Sequence, residues 1–401
     1  MDLKEAQARV ANLTSRLIHV ESIRGNEEAV CRLARDEMES LGFDGVWIDK
    51  AGNAVGTISG TDSSAPRVLI DCHLDTVEPG AAERWTHSPY GGEIVAGRVY
   101  GRGAADMKGA MAAAILAATS LRAGGRRPRG DVFICGSVLE ESVEGGALRA
   151  AVEENRPDAV IIGEATNLDL AIGQRGRAEL VFEVTGRQAH SSSPHLGINA
   201  VEKMADLICQ LRGFEPPSHP LLGRGVLALT DVISEPFPAT SMVPHRCAVT
   251  YDRRLVVGET EATVLADMAG VLEEMAKIDG DFRARVLIPE TDIQTYTGYR
   301  INLRKFFPAW ALDRDHSIAQ ASLAALGRAG LAPALGAYDF CTNGSYSRGV
   351  AGIPTIGFGP GREEQAHTID EYVEVEQLQR AVSGYRELLL ALTGTEHTEE
   401  D

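Results

Sequence analysis

The sequence predicts an α/β fold, in which a mixed, mostly parallel sheet with helices on both faces is interrupted by a smaller inserted domain. Three observations support this prediction. A chain of 401 residues is too long for one ordinary hydrophobic core. Helical and strand patterns alternate over residues 1–176, as they do in parallel sheets. The order of the elements changes over residues 177–289, and the first pattern returns afterwards.

The alternating part combines amphipathic helices with short buried strands. Apolar residues at helical spacing predict the helices, whereas short runs rich in Val and Ile predict the strands. The predicted elements are helices over Leu3–Ile18 and Ala29–Leu41, a strand over Arg67–Cys72, a helix over Met107–Leu121, a strand over Val132–Leu139, a helix over Glu144–Glu153 and a strand over Ala159–Gly163. Ligands of such sheets bind beyond the carboxyl ends of the strands, so functional residues are expected there.

The inserted part has the element order βαββαβ, which is the split βαβ or ferredoxin-like unit. Its predicted elements are Ala178–Thr185, Gly197–Leu211, Val226–Ser234, Cys247–Arg254, Glu261–Lys277 and Phe282–Ile288. The α/β pattern then resumes with a helix at Ser317–Gly327, a strand at Pro354–Phe358, a final helix at Val375–Leu392 and an acidic tail, residues 393–401, that is predicted to be disordered. The predicted domains are residues 1–176 with 290–401, and residues 177–289.

Composition restricts the possible partners and the cellular compartment. The formal net charge of −18 argues against nucleic acid or an anionic membrane surface as a partner. The longest weakly polar run, Ala110–Leu121, is shorter than the roughly 20 residues that span a bilayer. The N-terminal residues show no secretory signal or transit peptide, so a cytoplasmic protein is expected. The 6 cysteines are scattered singly, which favours reduced thiols over disulfides.

The first candidate site residues follow the strand predicted at Arg67–Cys72. Side chains two apart on a strand point the same way, so His73 and Asp75 can face one site, where Asp75 orients the imidazole. Asp106 follows a glycine-rich turn and precedes a helix. Each observation also has a structural explanation, since His73 and Asp75 suit a polar strand end and Asp106 suits a helix N-cap.

Acidic residues also follow the next two strands. Glu140 and Glu141 end an apolar run, and adjacent carboxylates at a buried strand end are costly unless a cation compensates them. Their side chains point differently, so one can bind a metal while its neighbour reaches a bound water. The alternative is a solvated acidic loop. Glu164 ends the following strand, and His367 lies beyond a later one.

These residues together predict a metal centre, although each alone is a weak signal. Imidazole and carboxylate ligands without thiolate suit zinc, cobalt, manganese or nickel better than calcium. Five ligands exceed the need of one tetrahedral ion. We therefore expect two divalent ions, zinc with cobalt or manganese as alternatives, bridged by Asp106. His73 and Glu164 would hold one ion, and Glu141 and His367 the other.

The motifs resemble those of a known family of dinuclear zinc metallohydrolases, the acetylornithine deacetylase, succinyl-diaminopimelate desuccinylase and carboxypeptidase G family. The resemblance covers nearly the whole chain and implies a zinc-peptidase-like catalytic domain with a lid or dimerisation domain. It is carried by His73-Leu-Asp75, Gly103-Ala-Ala-Asp106-Met-Lys-Gly109, Glu140-Glu141, Gly163-Glu164-Ala-Thr166, Gly173-Gln-Arg-Gly176, Ala189-His190-Ser-Ser-Ser-Pro-His195, Asp252-Arg-Arg-Leu255 and Ala366-His367.

The resemblance implies catalytic roles that spacing alone does not provide. Glu140 would be the general base, and Asp75 would orient the metal-binding histidine. The family also forms a homodimer through the inserted domain, in which His190 would reach the partner subunit's site and stabilise an oxyanion. The structural explanation of His190 is an exposed loop histidine.

The resemblance also implies how a small substrate with a carboxylate would be bound. The matching positions are Arg175, Arg254, Asn343, Gly344 and Ser345. An arginine suits bidentate binding of a carboxylate. For both arginines the alternative is a surface salt bridge.

One departure from the family pattern limits what can be transferred. Leu139 stands before Glu140-Glu141, where the family usually has an acidic residue. With this Leu, the chain resembles the selenium-metabolism-linked hydrolase branch, whose substrates are poorly established. The other motifs that carry this resemblance are Gly173-Gln-Arg-Gly-Arg177, Asp252-Arg-Arg-Leu-Val-Val-Gly-Glu259, Thr295-Tyr-Thr-Gly298, Phe307-Pro-Ala-Trp310 and Gly357-Phe-Gly-Pro-Gly361. The predicted function is therefore metal-dependent hydrolysis of an amide bond in a small carboxylate-bearing substrate, such as an N-acyl amino acid. The alternatives are a dipeptidase or aminopeptidase, and a non-catalytic dimeric binding protein of the same fold.

Overall fold

The structure is a computed structural model that describes residues 1–122 and 127–394. Most of the predicted disordered tail, residues 395–401, lies outside the described residues. Within the described ranges, no helix combines the length and the apolar character that crossing a membrane requires. The α-helices found there are α1 (Leu3–Ile18), α2 (Glu28–Ser40), α3 (Gly109–Ser120), α4 (Leu148–Asn155), α5 (Ala200–Leu211), α6 (Glu261–Ile278), α7 (Ser317–Arg328) and α8 (Val375–Leu392).

Over residues 1–122 and 127–394, the strands belong to two large sheets and three small ones. In chain order they are β1 (Gly45–Ile48), β2 (Ala54–Ile58), β3 (Val68–His73), β4 (Ile94–Val95), β5 (Arg98–Tyr100), β6 (Val132–Ser137), β7 (Ala159–Ile162), β8 (Leu170–Gln174), β9 (Gly176–Thr185), β10 (Ser218–His219), β11 (Gly223–Arg224), β12 (Val226–Glu235), β13 (Arg246–Leu255), β14 (Ala284–Leu287), β15 (Glu290–Gln294), β16 (Arg300–Arg304), β17 (Phe306–Phe307), β18 (Trp310–Ala311), β19 (Leu335–Tyr338), β20 (Thr355–Gly357) and β21 (Tyr372–Glu374).

The larger sheet is mixed and has a parallel centre. Its strand order is β1-β2-β6-β3-β7-β20-β8-β18, and β19 pairs with β8. Strands β6, β3, β7 and β20 run parallel to one another, whereas β2 and β8 join them in the antiparallel sense. The predicted α/β fold with a mixed, largely parallel sheet is therefore confirmed. The carboxyl ends of β3, β6 and β7 consequently lie side by side at one edge.

Helices cover both faces of this sheet. Helix α3 is buried along its whole length, because it lies between the sheet and the pair α1 and α8. Its alanine-rich sequence keeps the side chains small, so that α1 and α8 can both pack against it. On the opposite face, Leu148 and Val152 of α4 pack on Leu69 and Val160 of the strands. The sheet is therefore packed against helices on both of its faces.

The second large sheet is antiparallel and has the order β12-β13-β9-β14, with β17 also paired to β9. Burial alternates strictly along β9 and β13, because one face packs on helices α5 and α6. The predicted βαββαβ order is found, with bounds that differ by a few residues. Strand β12 lies at the edge, and most of its residues are exposed.

The hairpin β15–β16 joins the two sheets and was not predicted. The Tyr296 hydroxyl at its tip donates to the backbone oxygen of Gly52 at 2.6 Å, and Thr297 donates to that of Lys50 at 2.8 Å. Ile293 and Ile301 from the hairpin pack into the core of the larger sheet. The chain that leaves the second sheet is therefore anchored to the first.

Two helices begin later than the sequence predicts. Helix α4 begins at Leu148 instead of Glu144, because Gly145 has a φ of 78° and forms a turn. Helix α3 begins at Gly109 instead of Met107, because Asp106 and Met107 have non-helical backbone angles. Both delays occur in loops that carry acidic residues at the strand ends.

Candidate metal and catalytic site

Three neighbouring strands direct four side chains to the same edge of the larger sheet. Strand β3 ends at His73, the turn after β6 carries Glu140 and Glu141, and the turn after β7 carries Glu164. Parallel strands bring their carboxyl ends together, which explains why residues far apart in sequence meet here. All four residues are at least partly buried.

His73 is held at both of its ring nitrogens. Its Nδ1 lies 2.9 Å from the backbone oxygen of Asp75, and a carbonyl oxygen can only accept, so Nδ1 carries the proton. Its Nε2 faces Asp106 Oδ1 at 2.9 Å and Glu164 Oε1 at 3.5 Å. Burial lowers the pKa of His73, but Glu164 and Asp106 outweigh burial and hold the pKa well above its usual value. The Nε2 side of the ring therefore favours a cation, either a proton or a metal ion.

Asp106 lies between two imidazoles that come from opposite ends of the chain. The Nε2 atom of His367 is 3.2 Å from Asp106 Oδ2 and 3.1 Å from Glu141 Oε1. Hydrogen bonds to these two carboxylates raise the pKa of His367 to about 10. The other oxygen of Asp106 faces His73. The helix-cap explanation of Asp106 is wrong, because α3 has no side-chain cap.

Glu140 and Glu141 have different surroundings although they are neighbours in sequence. Glu140 is 6% exposed, and its Oε1 has no hydrogen-bond partner in the described part of the chain. Burial, reinforced by the Glu164 and Glu144 carboxylates, raises the pKa of Glu140 well above its usual value. Glu141 instead contacts His367. The structure thus gives the two neighbouring carboxyl groups different surroundings, since Glu140 is buried with one oxygen unpaired among the described residues and Glu141 lies against His367.

The carboxylate of Asp75 supports the turn that carries both glutamates. Its Oδ1 accepts from the backbone N–H of Glu140 at 3.1 Å, and its Oδ2 accepts from that of Glu141 at 3.0 Å. The same carboxylate is 3.7 Å from Nδ1 of His73, which is farther than the backbone oxygen of Asp75. Asp75 therefore contacts the histidine mainly through its main chain and the glutamate turn through its side chain.

The charges in this cluster fit a divalent cation. The carboxylates of Asp106, Glu140, Glu141 and Glu164 meet here, and none of them forms an ion pair with a lysine or arginine of the described residues. Two sets have ligand atoms within 4.8 Å of one another: His73 with Glu140 and Glu164, and His73 with Asp106 and Glu141. Nitrogen and oxygen donors of this kind suit zinc and related transition metals.

A cavity of about 370 Å³ opens onto the cluster. This volume suits a small molecule. Besides Asp106, Glu140, Glu141, Glu164 and His367, the cavity is lined by Glu144, Ala165, Arg177, Arg254, Phe340, Cys341, Glu363 and Ala366. Arg177 and Arg254 belong to the second sheet, so both sheets contribute to the wall.

The two arginines predicted to bind a substrate carboxylate lie in different places. Arg254 lines the cavity, and its Nε is 2.7 Å from Asp252 on the same strand. Arg175 does not line this cavity. Its Nε donates to the backbone oxygen of Leu222 at 2.8 Å, and its Nη2 lies 3.2 Å from Asp339. The salt-bridge explanation thus describes the observed contacts of Arg175, and its role toward a substrate stays a prediction.

The predicted substrate loop, Asn343, Gly344 and Ser345, forms a buried turn beside the site. The Nδ2 group of Asn343 donates to Asp71 at 2.8 Å and to Ser137 Oγ at 3.0 Å. These bonds join the turn to the ends of β3 and β6. The observed contacts of Asn343 are structural, and the contact of this loop with a substrate stays a prediction.

His190 lies in an exposed loop of the second sheet's domain. Its Nδ1 is 2.8 Å from the Ser192 hydroxyl. Among the described residues of this subunit, no hydrogen bond or ion pair joins His190 to the candidate metal ligands. Its predicted contact with the partner subunit's site stays a prediction.

The ion pair between Glu144 and Arg177 was not predicted from the sequence. The Arg177 Nε and Nη2 atoms donate to the two Glu144 oxygens at 2.5 and 2.7 Å. Glu144 follows Glu140 and Glu141 in the same loop, whereas Arg177 belongs to β9. Glu144 and Arg177 are 33 positions apart, so no helix or strand periodicity in the sequence relates them. The one available signal is that each charged residue lies close to a motif of the family.

Comparison with known proteins identifies the family. A model of peptidase family M20/M25/M40 matches residues 69–391. The uncharacterized protein YgeY of Escherichia coli strain K12 is 31% identical over 405 residues, which cover 98% of this chain and 96% of that protein. A probable succinyl-diaminopimelate desuccinylase of Staphylococcus epidermidis strain RP62A is 24% identical, with coverage of 94% and 96%.

A solved structure supports the same fold. The aminopeptidase PepT from Bacillus cereus ATCC 10987 superposes with a TM-score of 0.77 at 19% identity, covering 97% of this chain and 99% of that one. The fold, a catalytic domain with a lid domain, is therefore shared. Together with the match over residues 69–391, these similarities show that the chain belongs to peptidase family M20/M25/M40 and is a metal-dependent hydrolase.

Proposed function

We propose that this protein hydrolyses an amide bond in a small carboxylate-bearing substrate, with N-acyl amino acids as the first substrate class. The observation that carries the proposal is Glu140. It lines the cavity, its Oε1 has no hydrogen-bond partner among the described residues, and its pKa is raised. These are the properties of a general base beside a metal centre.

The proposed cofactor is a pair of divalent ions, zinc with cobalt or manganese as alternatives. His73 and Glu164 would hold one ion, Glu141 and His367 the other, and Asp106 would bridge them. This assignment is supported by the position of the Asp106 carboxylate, which directs one oxygen toward each imidazole. When bound, such ions polarise a substrate carbonyl and lower the pKa of water.

The residues of the chain would then carry the proton transfers. Glu140 takes a proton from the attacking water as the new C–O bond forms, and delivers it to the amine nitrogen as the C–N bond breaks. The products are a carboxylic acid and an amine. Asp75 holds the backbone of Glu140 in place for both transfers. The partner subunit's His190 is proposed to donate to the developing oxyanion.

The proposed carboxylate-binding residue with the most direct support is Arg254, because it lines the cavity. Its guanidinium has five N–H donors, and the contact with Asp252 leaves donors for a substrate carboxylate. Arg175, Asn343, Gly344 and Ser345 remain proposed substrate residues, although their present contacts are with the protein itself.

The proposed organisation is a catalytic domain, residues 1–176 and 290–401, and a lid or dimerisation domain, residues 177–289. This division is supported by the second large sheet, which is antiparallel and separate from the mixed sheet. We propose a homodimer through the edge strand β12, on which Val226, Leu229, Val232 and Ile233 are exposed. Exposed apolar edge strands favour pairing with another chain. A cytoplasmic location is proposed because the cysteines are free.

The decisive experiment compares the wild type with Glu140→Gln in a metal-replete assay. The substrate panel consists of N-acyl amino acids, free-amine dipeptides and ureido acids. The variant should bind the same number of metal ions as the wild type and lose at least about 100-fold in kcat, the usual contribution of a general base. Near-wild-type turnover by the variant would contradict the proposed mechanism.

The dipeptidase alternative is favoured by one observation, the Glu363 carboxylate. Glu363 lines the same cavity and forms no ion pair with any described residue. It could receive the free ammonium group of a dipeptide, which an N-acyl amino acid lacks. Faster turnover of dipeptides than of N-acyl amino acids, with a loss of that preference in Glu363→Gln, would select this alternative.

A further inference from the structure

The segment that follows His367 is bound tightly to the loop that carries Asp106. Strand β21 pairs with β5 in the antiparallel sense, so that Tyr372 lies opposite Tyr100. The backbone oxygen of Glu371 accepts from the N–H of Gly101 at 2.9 Å. Two segments that are more than 260 residues apart in sequence are therefore joined directly beside the proposed metal site.

The Glu371 carboxylate links the two segments through its side chain as well. It is completely buried and accepts four hydrogen bonds from one loop. Its Oε2 accepts from Arg102 Nη1 at 2.6 Å and from the N–H of Gly103 at 3.1 Å. Its Oε1 accepts from the N–H groups of Ala105 at 2.9 Å and Asp106 at 3.1 Å. Each carboxylate oxygen of Glu371 thus accepts two hydrogen bonds.

The loop that Glu371 holds is not a regular element. Gly103 has a φ of 85°, Asp106 has a φ of −124° and a ψ of 85°, and Met107 has a φ of −140° and a ψ of 34°. A Cβ on Gly103 would come within 2.9 Å of Thr76, so the loop is also packed closely. Such a conformation leaves backbone N–H groups without helical acceptors, and Glu371 supplies acceptors for three of them.

Stability alone does not explain this arrangement. A buried carboxylate that faces one guanidinium is weak evidence for a gain in stability, because the cost of desolvation offsets the attraction. What the contact does provide is geometry. Glu371 is four residues after His367 and binds the backbone of Asp106, so it sets the distance between the two side chains that share a proposed ion.

We propose that Glu371 is a positioning residue that holds Asp106 against His367 and thereby retains the ion on the His367 side of the site. This inference rests on the proposed function, since it assumes two ions with Asp106 between them. The ion held by His73 and Glu164 depends less on Glu371, because those residues belong to β3 and the turn after β7.

The test is a Co²⁺ titration of apoprotein prepared from the wild type and from Glu371→Gln, followed by visible absorption and by equilibrium dialysis. In the variant, an amide –NH₂ replaces one acceptor oxygen and faces N–H donors. We expect one ion to bind as in the wild type and the second to bind about 10–100-fold more weakly, the usual effect of losing a residue that orients a metal ligand. The visible absorption of the second Co²⁺ ion should change together with its affinity.

The matched control is Glu37→Gln. Glu37 is also a buried carboxylate, and its Oε2 accepts from Arg16 at 2.7 Å between α1 and α2. This variant should lose stability and still bind two ions with wild-type affinity. Glu371→Asp is a second variant, because it keeps the negative charge for folding but is too short to reach both halves of the loop.

The outcomes separate this inference from the function on which it rests. Binding of both ions with wild-type affinity by Glu371→Gln, or by Glu371→Asp if the first variant does not fold, would overturn the positioning role alone. Equal weakening of both ions would also overturn it. Failure of the wild-type protein to bind Co²⁺, Zn²⁺ or Mn²⁺ would overturn the proposed function together with the inference.

Discussion

Glu140 and Glu141 show how one turn can give two neighbouring carboxyl groups different chemistry. Successive side chains after a strand point in different directions, so Glu141 contacts His367 while Glu140 is buried. Asp75 fixes both backbone N–H groups, and therefore the direction of both side chains. The distinction between the proposed ligand, Glu141, and the proposed base, Glu140, thus depends on Asp75, which needs no contact with the substrate.

At this residue, we predict that Asp75→Asn lowers kcat by about 100-fold while the metal content stays unchanged, because small displacements of a catalytic group are costly. The amide of asparagine can accept from only one of the two N–H groups that Asp75 now accepts. Steady-state kinetics and metal analysis check this prediction. Asp49→Asn is the control, since Asp49 also holds a buried turn by accepting from Ala51 and Asn53 and does not line the cavity. Wild-type kcat in Asp75→Asn would contradict the role of the turn.

A second residue-scale prediction concerns Glu27, which is buried and has an Oε2 without a partner in the described structure. Burial raises its pKa above the usual 4.5. The folded state therefore holds the proton more tightly than the unfolded state. The stabilisation from this group is complete below pH 4.5 and is lost as the pH rises through the raised pKa.

Glu27→Gln cannot ionise, so this variant should be more stable than the wild type at neutral pH and equal to it at the acidic end. Urea unfolding at several pH values measures the difference. Glu28→Gln is the control, because Glu28 is exposed and its ion-pair partner among the described residues is Arg32, on the surface of the same helix. An equal difference between Glu27→Gln and the wild type at all pH values would contradict the explanation.

At the scale of elements, the bounds of helices are predicted most accurately where side-chain packing alone determines them. Helices α1 and α8 have the predicted bounds, because long amphipathic patterns with one buried face are hard to mistake. The starts of α3 and α4 were predicted two and four residues too early. Both errors fall where the backbone leaves the helix to aim acidic side chains into the site, and such local departures are expected at functional positions.

The contact between elements that sequence analysis missed, Glu144 with Arg177, gives an element-scale prediction. The pair joins the loop after β6, which carries Glu140 and Glu141, to β9, and its side chains are only 8% and 18% exposed. Arg177→Gln leaves Glu144 buried without its cation and should lower the free energy of unfolding by about 3 kcal/mol. Glu144→Gln with Arg177→Gln should recover most of the loss, because neither charge is then stranded.

Denaturant unfolding of the two single variants, the double variant and the wild type measures this coupling. Arg246→Gln is a matched control on β13, because Arg246 pairs with Glu183 and Glu235 and is 35% exposed. It should cost less than about 1 kcal/mol, as exposed pairs do. Additive losses in the Glu144 and Arg177 cycle would show that the pair is not coupled.

At the scale of the whole molecule, the sequence predicts one cluster of candidate metal ligands because the parallel topology of the sheet brings these residues together. His73, Glu141 and Glu164 follow adjacent parallel strands, and such strands share one edge. The same reasoning cannot find Glu371. It lies in a polar segment without periodic pattern, and its four bonds depend on where two distant loops meet. The position of Arg175 outside the cavity was likewise beyond the reach of the sequence.

The final prediction concerns the proposed dimer and the edge strand β12. Val232 and Ile233 are 58% and 54% exposed on this strand. Lysine on an edge strand blocks pairing with a second chain, so Val232→Lys combined with Ile233→Lys should convert a dimer into a monomer. Because His190 is proposed to act in the partner subunit's site, the monomer should also lose about 100-fold or more in kcat, as when one oxyanion donor is removed.

Light scattering after size-exclusion chromatography, together with kinetics and metal analysis, tests both parts of this prediction. Val257→Lys is the control, since Val257 is exposed outside β12 and its replacement should preserve both the dimer and the activity. His190→Ala should reproduce the loss of kcat without dissociation, and metal content should stay constant throughout. A fully active monomer would show that each subunit completes its own site, and His190 would then have no role in the partner.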